Sequence, residues 1–280
     1  AVGRDAPVLI DQEGGRVQRL RAPTWRDWVA PLDEVARASD PVRAMFLRYA
    51  LIGAELRAVG IDVNCAPIAD VADDRTHPFL RNRCYGEDAD QVAQIARAVA
   101  DGLLHAGVLP VIKHIPGHGR GQVDSHKDLP RVAVERAALE RDFAPFRALN
   151  DLPMGMSAHV VYEAIDPAAP ATTSAKMIRV IREEIGFAGL LMTDDLSMEA
   201  LDGTPAARVT ASLEAGIDVI LHCNGDLAEM QAVAAQAGAL TQAAQARAGA
   251  ARQTRPAATE IDISALEAEF SGLTSGPAHV

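Results

Sequence analysis

Side chains that could do chemistry are concentrated in a polar, glycine-rich segment between Lys113 and Pro130. A loop of about a dozen residues is longer than the usual connection between a strand and a helix, and such loops are often functional. Asp124 and His126 stand two residues apart within it. The carboxylate can hold one imidazole nitrogen and leave the other facing a substrate, which would fix the tautomer and raise the basicity of the ring. The pair therefore suits acid/base catalysis, although Asp-Ser-His alone is more often an ordinary polar loop.

The histidines of this segment raise a second possibility, a metal site. His114 and His118 have the spacing of two ligands on one face of a helix. Pro116 and Gly117 disfavour a helix at this place, so the spacing loses its meaning. We therefore expect neither a metal nor another cofactor.

Two adjacent carboxylates follow the apolar run that begins at Leu190. Neighbouring carboxylates repel each other unless their side chains diverge, so Asp194 and Asp195 are expected to have different tasks. One can face the mouth of a cavity while the other braces a loop. Capping of a following helix would account for Asp195 but not for Asp194.

A third polar segment runs from Ile10 to Arg19 and contains paired glycines, but it lacks a phosphate-binding fingerprint. Asp11 at the end of a strand can accept hydrogen bonds from two sugar hydroxyls. Arg83 and Lys113 can donate to hydroxyl or carbonyl oxygens. Each of these could be a surface charge, whereas together they suit a carbohydrate-binding site.

The elements that must position these residues alternate along the chain as short apolar runs and amphipathic stretches. The runs predict strands at Pro7–Ile10, Ile61–Asn64, Leu109–Lys113, Met154–His159, Leu190–Thr193 and Val219–His222. The stretches predict helices at roughly 41–59, 88–106, 134–149, 174–185, 204–215 and 226–250, with a short one at Ile263–Phe270. Such repeated units indicate an α/β fold with a parallel sheet buried on both faces.

Polar residues follow each of the six predicted strands, and in a parallel barrel these positions share one rim, where catalysis takes place. The fold class expected is a TIM-like (β/α)8 barrel. Only six units are visible, and the chain opens on Ala1, so roughly the first two βα units are expected to be missing. Residues 1–280 are interpreted as one catalytic barrel domain, with the helical tail from about residue 245 to 280 packing outside the barrel.

Composition excludes several classes of function. The formal net charge of -11 leaves no basic surplus for nucleic acid. No apolar run approaches the ~20 residues of a membrane span. The three cysteines form no CxxC pair, which favours a reducing compartment. These features argue against binding to nucleic acid or membrane. The partner we expect is a small carbohydrate substrate, and we expect the protein to be a monomer.

Five motifs in this order resemble the bacterial β-N-acetylglucosaminidases of glycoside hydrolase family 3. They are Asp-Gln-Glu-Gly-Gly-Arg (11–16), Asn-Arg-Cys-Tyr-Gly-Glu-Asp (82–88), Lys-His-Ile-Pro-Gly-His-Gly (113–119), Asp-Ser-His (124–126) and Thr-Asp-Asp-Leu-Ser-Met (193–198). The resemblance runs from about residue 8 to 225. It implies a TIM-like barrel, a cytoplasmic location and a role in cell-wall recycling.

By position, the resemblance implies that Asp194 is the nucleophile of a retaining mechanism and that His126 is the acid/base, with Asp124 as its partner. The implied substrate is a peptidoglycan fragment whose terminal β-1,4-linked N-acetylglucosamine is released, above all one linked to 1,6-anhydro-N-acetylmuramic acid, with or without peptide. The sugar-binding residues implied in the same way are Asp11, Arg19, Arg83, Lys113 and His114.

Three alternatives stay open. A neutral histidine does not repel phosphate, so the same barrel could be a phosphorylase. A metal-dependent hydrolase barrel would be sensitive to chelators. A barrel that only binds sugars would hydrolyse none.

Overall fold

The computed structural model describes residues 6–123, 128–256 and 261–275, in which short strands alternate with helices. The strands of this part are Leu9–Ile10 (β1), Val63–Asn64 (β2), Leu109–Ile115 (β3), Arg131–Val132 (β4), Met154–Ser157 (β5), Val161–Tyr162 (β6), Leu190–Asp195 (β7) and Val219–Leu221 (β8). The α-helices are Pro31–Arg37 (α1), Pro41–Ala58 (α2), Pro78–Arg81 (α3), Ala89–His105 (α4), Leu139–Ala148 (α5), Ala175–Arg179 (α6), Pro205–Ala215 (α7), Leu227–Ala237 (α8), Gln242–Gln253 (α9) and Ile263–Thr274 (α10).

The main sheet contains six parallel strands in the order β1-β2-β3-β5-β7-β8, and β4 pairs with β6 beside it. These six strands are the six that the sequence predicts. Each main-sheet strand neighbours the next one along the chain, with helices in the connections, which is the arrangement of a (β/α)8 barrel. The described residues therefore form the greater part of a TIM-like barrel, and the α/β prediction is confirmed.

Both faces of the sheet are buried, as in other parallel sheets that helices cover. Ile112 and Leu191 pack into the larger hydrophobic core, together with residues of the surrounding helices. Their neighbours Val111 and Leu190 point to the opposite, inner face and pack into a second cluster. Because side chains alternate along a strand, the polar residues that continue the inner-facing series lie at the barrel mouth.

Helix boundaries follow local capping chemistry. Asp40 accepts a hydrogen bond from the Arg43 N–H at the start of α2, where Pro41 is the first helical residue. Gly216 ends α7 in the left-handed conformation, with a φ of 109°. The prediction of one helix over 226–250 is wrong. Two helices occupy this range, and between them Gly238 has a φ of 62°.

The tail packs in two different places. Helix α10 lies on α2, where Phe270 meets the Trp28 ring edge-to-face at 5.6 Å and Glu269 pairs with Arg43. Helix α9 instead places Ala251 in the inner-face cluster. The expectation that the whole tail packs outside the barrel therefore does not hold for α9. Its small alanine side chains allow this helix to approach the strands closely.

Candidate active site

A polar cavity of about 270 Å³ opens at the carboxyl ends of β1, β3 and β7. Its lining contains positively and negatively charged side chains and two histidines. The lining residues are Asp11, Arg16, Val17, Arg19, Phe79, Arg83, Lys113, His114, His118 and Asp194. Such a volume is at the small end of ligand sites, which suits one sugar residue better than an oligosaccharide.

Six of the eight residues that the sequence singles out lie together in this cavity. They are Asp11, Arg19, Arg83, Lys113, His114 and Asp194. The parallel sheet explains the grouping, because strand ends that are distant in sequence meet at one rim. Asp124 and His126 lie outside the described residues.

Asp194 is the partly buried carboxylate at the centre of the site. Its Oδ1 accepts a hydrogen bond from the Asp195 N–H at 2.8 Å, and its Oδ2 lies 4.0 Å from Nε2 of His114. Burial opposes ionisation, but the two nearby histidines, His114 and His159, the Asp195 N–H and Lys113 together lower the pKa of Asp194 to about 2. The group is therefore an anion at neutral pH, as a nucleophile must be.

Asp195 points away from Asp194 and braces the following loop. Its carboxylate accepts hydrogen bonds from the N–H and hydroxyl of Ser197, at 2.9 and 2.6 Å, and from the Cys223 N–H at 2.9 Å. The expected divergence of the two carboxylates is therefore observed. It leaves Asp194 facing the cavity.

A buried ion network forms one wall of the cavity. Glu13 is fully buried and makes two 2.8 Å hydrogen bonds with the guanidinium of Arg83. The ammonium of Lys113 lies 2.7 Å from Glu13 and 2.8 Å from Asp11, which also stands 3.7 Å from Arg19. Burial would raise the pKa of Glu13, but Arg83 and Lys113 hold it well below its usual range. The network thus holds the Arg83 guanidinium, the Lys113 ammonium and the Asp11 carboxylate in place, as hydroxyl recognition requires.

The His114 ring is held from behind by a buried carboxylate. Asp70 lies 2.7 Å from its Nδ1, which leaves Nε2 directed at Asp194. The neighbouring His118 is also buried, and neither ring nitrogen has a hydrogen-bond partner among the described residues. Burial, with His114 nearby, lowers the pKa of His118 to about 4, so this ring is neutral at neutral pH. It packs edge-to-face against Phe79.

The remaining strand-end residues do not line the cavity. Asn64 holds the backbone of Gln12 through two 3.0 Å hydrogen bonds, and so supports the loop after β1. His159 is hydrogen-bonded through both ring nitrogens behind the strand ends. His222 lies 3.5 Å from Glu229 and faces an apolar groove beside β8. The polar residues at the ends of β1, β3 and β7 therefore share one cavity, as predicted. Those at the other strand ends contact neighbouring segments instead.

Three residues of the site were not selected from the sequence. Glu13 stands inside the 11–16 motif, but no role was assigned to it from the sequence. Asp70 is a single acid within a long apolar run, which is the one available signal of a buried, partnered carboxylate. His118 was considered only as a metal ligand.

Metal ligation and membrane insertion were also considered. Across residues 6–123, 128–256 and 261–275, no three or more His, Cys, Asp or Glu side chains are grouped so that they could hold a metal ion. In the same ranges, no helix combines the length and apolar character needed to cross a bilayer.

The sequence and the fold both match known glycosidases. The Glycosyl hydrolase family 3 N terminal domain matches residues 5–254. A "Beta-hexosaminidase" from Alkalilimnicola ehrlichii is 40% identical over 232 residues, covering 79% of this chain and 66% of the relative. The chain thus spans about two thirds of the length of the curated relatives it matches.

Two solved structures share the fold over nearly the whole chain. A family 3 β-N-acetylglucosaminidase from Paenibacillus sp. str. FPU-7 has a TM-score of 0.83 at 29% identity, covering 96% of this chain and 56% of that one. NagZ from Neisseria gonorrhoeae, in complex with N-trifluoroacetyl-D-glucosamine, has a TM-score of 0.82 at 29% identity, covering 96% and 82%.

Proposed function

Because the chain belongs to glycosyl hydrolase family 3, we propose that it is a retaining β-N-acetylhexosaminidase that releases terminal N-acetylglucosamine. The observation that carries the proposal is an ionised carboxylate, Asp194, facing a small polar cavity whose walls carry fixed hydrogen-bond donors and acceptors. The cavity size favours one sugar ring, and thus removal of an end residue. The names of the relatives, β-hexosaminidase and β-N-acetylglucosaminidase, support the sugar assigned.

In the proposed first step, an oxygen of Asp194 attacks the anomeric carbon and forms a glycosyl ester while the bond to the leaving oxygen breaks. This is the route of retaining glycosidases, which use a nucleophile and a separate acid. The low pKa of Asp194 ensures that the attacking group carries its charge. Lys113 supplies positive potential beside it, which also favours the carboxylate when it is released.

His126 is proposed as the acid that protonates the leaving oxygen and as the base that later takes a proton from water. Histidine has an unperturbed pKa of about 6.5 and can serve as acid and as base close to neutral pH. A second carboxylic acid beside Asp194 would need a strongly raised pKa to stay protonated. Asp124 would orient the imidazole of His126.

Sugar hydroxyls are proposed to bind to Asp11, Arg19, Arg83, Lys113 and His114. We infer that the physiological substrate is a peptidoglycan fragment carrying β-1,4-linked N-acetylglucosamine, and that the enzyme acts as a cytoplasmic monomer in cell-wall recycling. The Neisseria NagZ complex supports only the N-acetylglucosamine part of this substrate, because its ligand is an N-acylated glucosamine.

The test compares p-nitrophenyl N-acetyl-β-glucosaminide with the matching β-glucoside on the full chain. We expect hydrolysis of the first at a kcat/KM at least ~10²-fold higher, because the glucoside lacks the acylamino group and would leave polar groups of the proposed site unpaired. Equal rates, or preference for the glucoside, would contradict the substrate assigned.

Two additions to the same assay address the reaction type. With inorganic phosphate present, the product should remain free N-acetylglucosamine, and formation of the sugar 1-phosphate would indicate phosphorolysis. Pre-incubation with a chelator should leave the rate unchanged, and loss of activity that zinc restores would favour a metal-dependent hydrolase. Binding of the sugar without any turnover would favour a sugar-binding barrel.

A further inference from the structure

Asp70 is a fully buried carboxylate that lies behind the cavity and does not line it. It accepts three hydrogen bonds from the segment that leads into the 116–123 loop. Its Oδ2 lies 2.7 Å from the ring Nδ1 of His114. Its Oδ1 accepts the N–H groups of His114 at 3.3 Å and of His118 at 2.6 Å.

Asp70 retains its charge although it is fully buried. Burial would raise the pKa of this carboxyl, but His114, and then His118, lower it below the usual range. A buried anion of this kind is stabilised by the donors that surround it. The hydrogen at Nδ1 of His114 is the ring donor among them.

The position of that hydrogen determines what His114 presents to the cavity. When Nδ1 carries the hydrogen toward Asp70, Nε2 of the neutral ring is an acceptor on the side of Asp194. Without the carboxylate, the ring could take the other tautomer or rotate, and the atom 4.0 Å from Asp194 would change its hydrogen-bonding character. A buried carboxylate that fixes a histidine tautomer in this way can have a large effect on catalysis.

We propose that Asp70 is a positioning residue that fixes the tautomer and the ring orientation of His114, and thereby the group facing Asp194. Its hydrogen bond with the His118 N–H also holds the start of the 116–123 loop in place. The kinetic consequence rests on the proposed function. The structural part, a hydrogen on Nδ1 of His114 held by Asp70, does not.

The kinetic test is a double-mutant cycle on aryl N-acetylglucosaminide hydrolysis, with Asp70→Asn, His114→Ala and the combination. If Asp70 acts through His114, Asp70→Asn lowers kcat/KM about 10²-fold in the parent, the scale of a misplaced catalytic group. The same change in the His114→Ala background costs less than about threefold. Equal losses in both backgrounds would assign Asp70 a general structural role and overturn the proposal.

Asp73→Asn is the matched control, because Asp73 lies in the same loop and its carboxylate accepts the Arg75 N–H without touching His114. It should lower kcat/KM by less than about threefold. A loss as large as that of Asp70→Asn would show that any acid in this loop is needed, and would also overturn the proposal.

Nitrogen–proton correlation spectra of the histidine rings test the structural part without any turnover. The parent should show a hydrogen on Nδ1 of His114, assigned by the signals missing from His114→Ala. A parent ring whose only hydrogen is on Nε2 overturns the proposal even if Asp70→Asn fails to fold. A parent that hydrolyses no glycoside would contradict the proposed function, while the spectra would still decide the role of Asp70.

Discussion

Removal of the charge of Glu13 should destabilise the fold more than almost any other isosteric change in the site. Glu13→Gln keeps the size of the side chain but leaves Arg83 without its bidentate carboxylate and Lys113 with Asp11 alone. Arg83 is only 7% exposed and Lys113 only 2%, so water cannot replace the lost partner. Breaking a buried ion pair by removing one partner typically costs about 3–5 kcal/mol of unfolding free energy.

The assay is thermal unfolding followed by circular dichroism, with urea unfolding for the free energy. For a domain of this size, the loss corresponds to a Tm lower by about 6–20 °C. Glu163→Gln is the matched control. Its partner Arg131 is 2.9 Å away, but the two side chains are 39% and 48% exposed, so the expected cost is below about 1 kcal/mol. Equal shifts in the two variants would refute the reasoning.

The same comparison has a defined pH dependence. Because the pKa of Glu13 is lower in the folded protein than its ordinary value of 4.5, the unfolded chain takes up the proton first as the pH falls. The stability contributed by the charge is therefore complete above about pH 5.5 and declines as the pH drops below about 4.5. The difference in unfolding free energy between the parent and Glu13→Gln should shrink in that lower range, and a difference that grew there would contradict the sign.

The remaining predictions concern the proposed reaction. Asp194→Ala should lower kcat at least ~10⁴-fold with the Tm within a few degrees of the parent, because it removes the nucleophile and not a core contact. Substantial turnover would rule out Asp194 as the nucleophile. His126→Ala should reduce hydrolysis of poor leaving groups at least ~10²-fold more than that of activated aryl glycosides; equal losses would argue against an acid. Asp124→Ala should give an intermediate loss, measured with the same substrate pair, and full activity would make Asp124 an ordinary loop residue.

The strands and their polar ends were predictable because both depend on local patterns. Leu109–Ile115 and Leu190–Asp195 begin as apolar runs and carry charged residues close to their carboxyl ends, and parallel topology then brings those charges to one rim. The break between α8 and α9 was missed because a single glycine among alanines is compatible with a continuous helix. Gly238 has a φ of 62° there, and α9 beyond it packs Ala251 against the inner face of the sheet, which is a tertiary contact that the local pattern does not contain.

The partners of the site residues could not be predicted. Asp70 and His114 are 44 residues apart, and Glu13 and Arg83 are 70 apart, so nothing local connects them. Their pairing is a consequence of burial, because a charge removed from water needs a partner of opposite sign or a donor. The sequence reveals which residues are charged within apolar surroundings, whereas the identity of each partner depends on tertiary packing.

The hydrogen bond from the Asp195 N–H to Oδ1 makes the two oxygens of Asp194 chemically inequivalent. On the proposed mechanism, Oδ2 forms the bond to the sugar, and Oδ1 becomes the carbonyl oxygen of the ester. The backbone amide then polarises that carbonyl, as an oxyanion-hole donor would. When water displaces the carboxylate from the sugar, the amide stabilises the departing negative charge. One rigid contact at a strand end thus selects the attacking atom and also makes the ester a better leaving group.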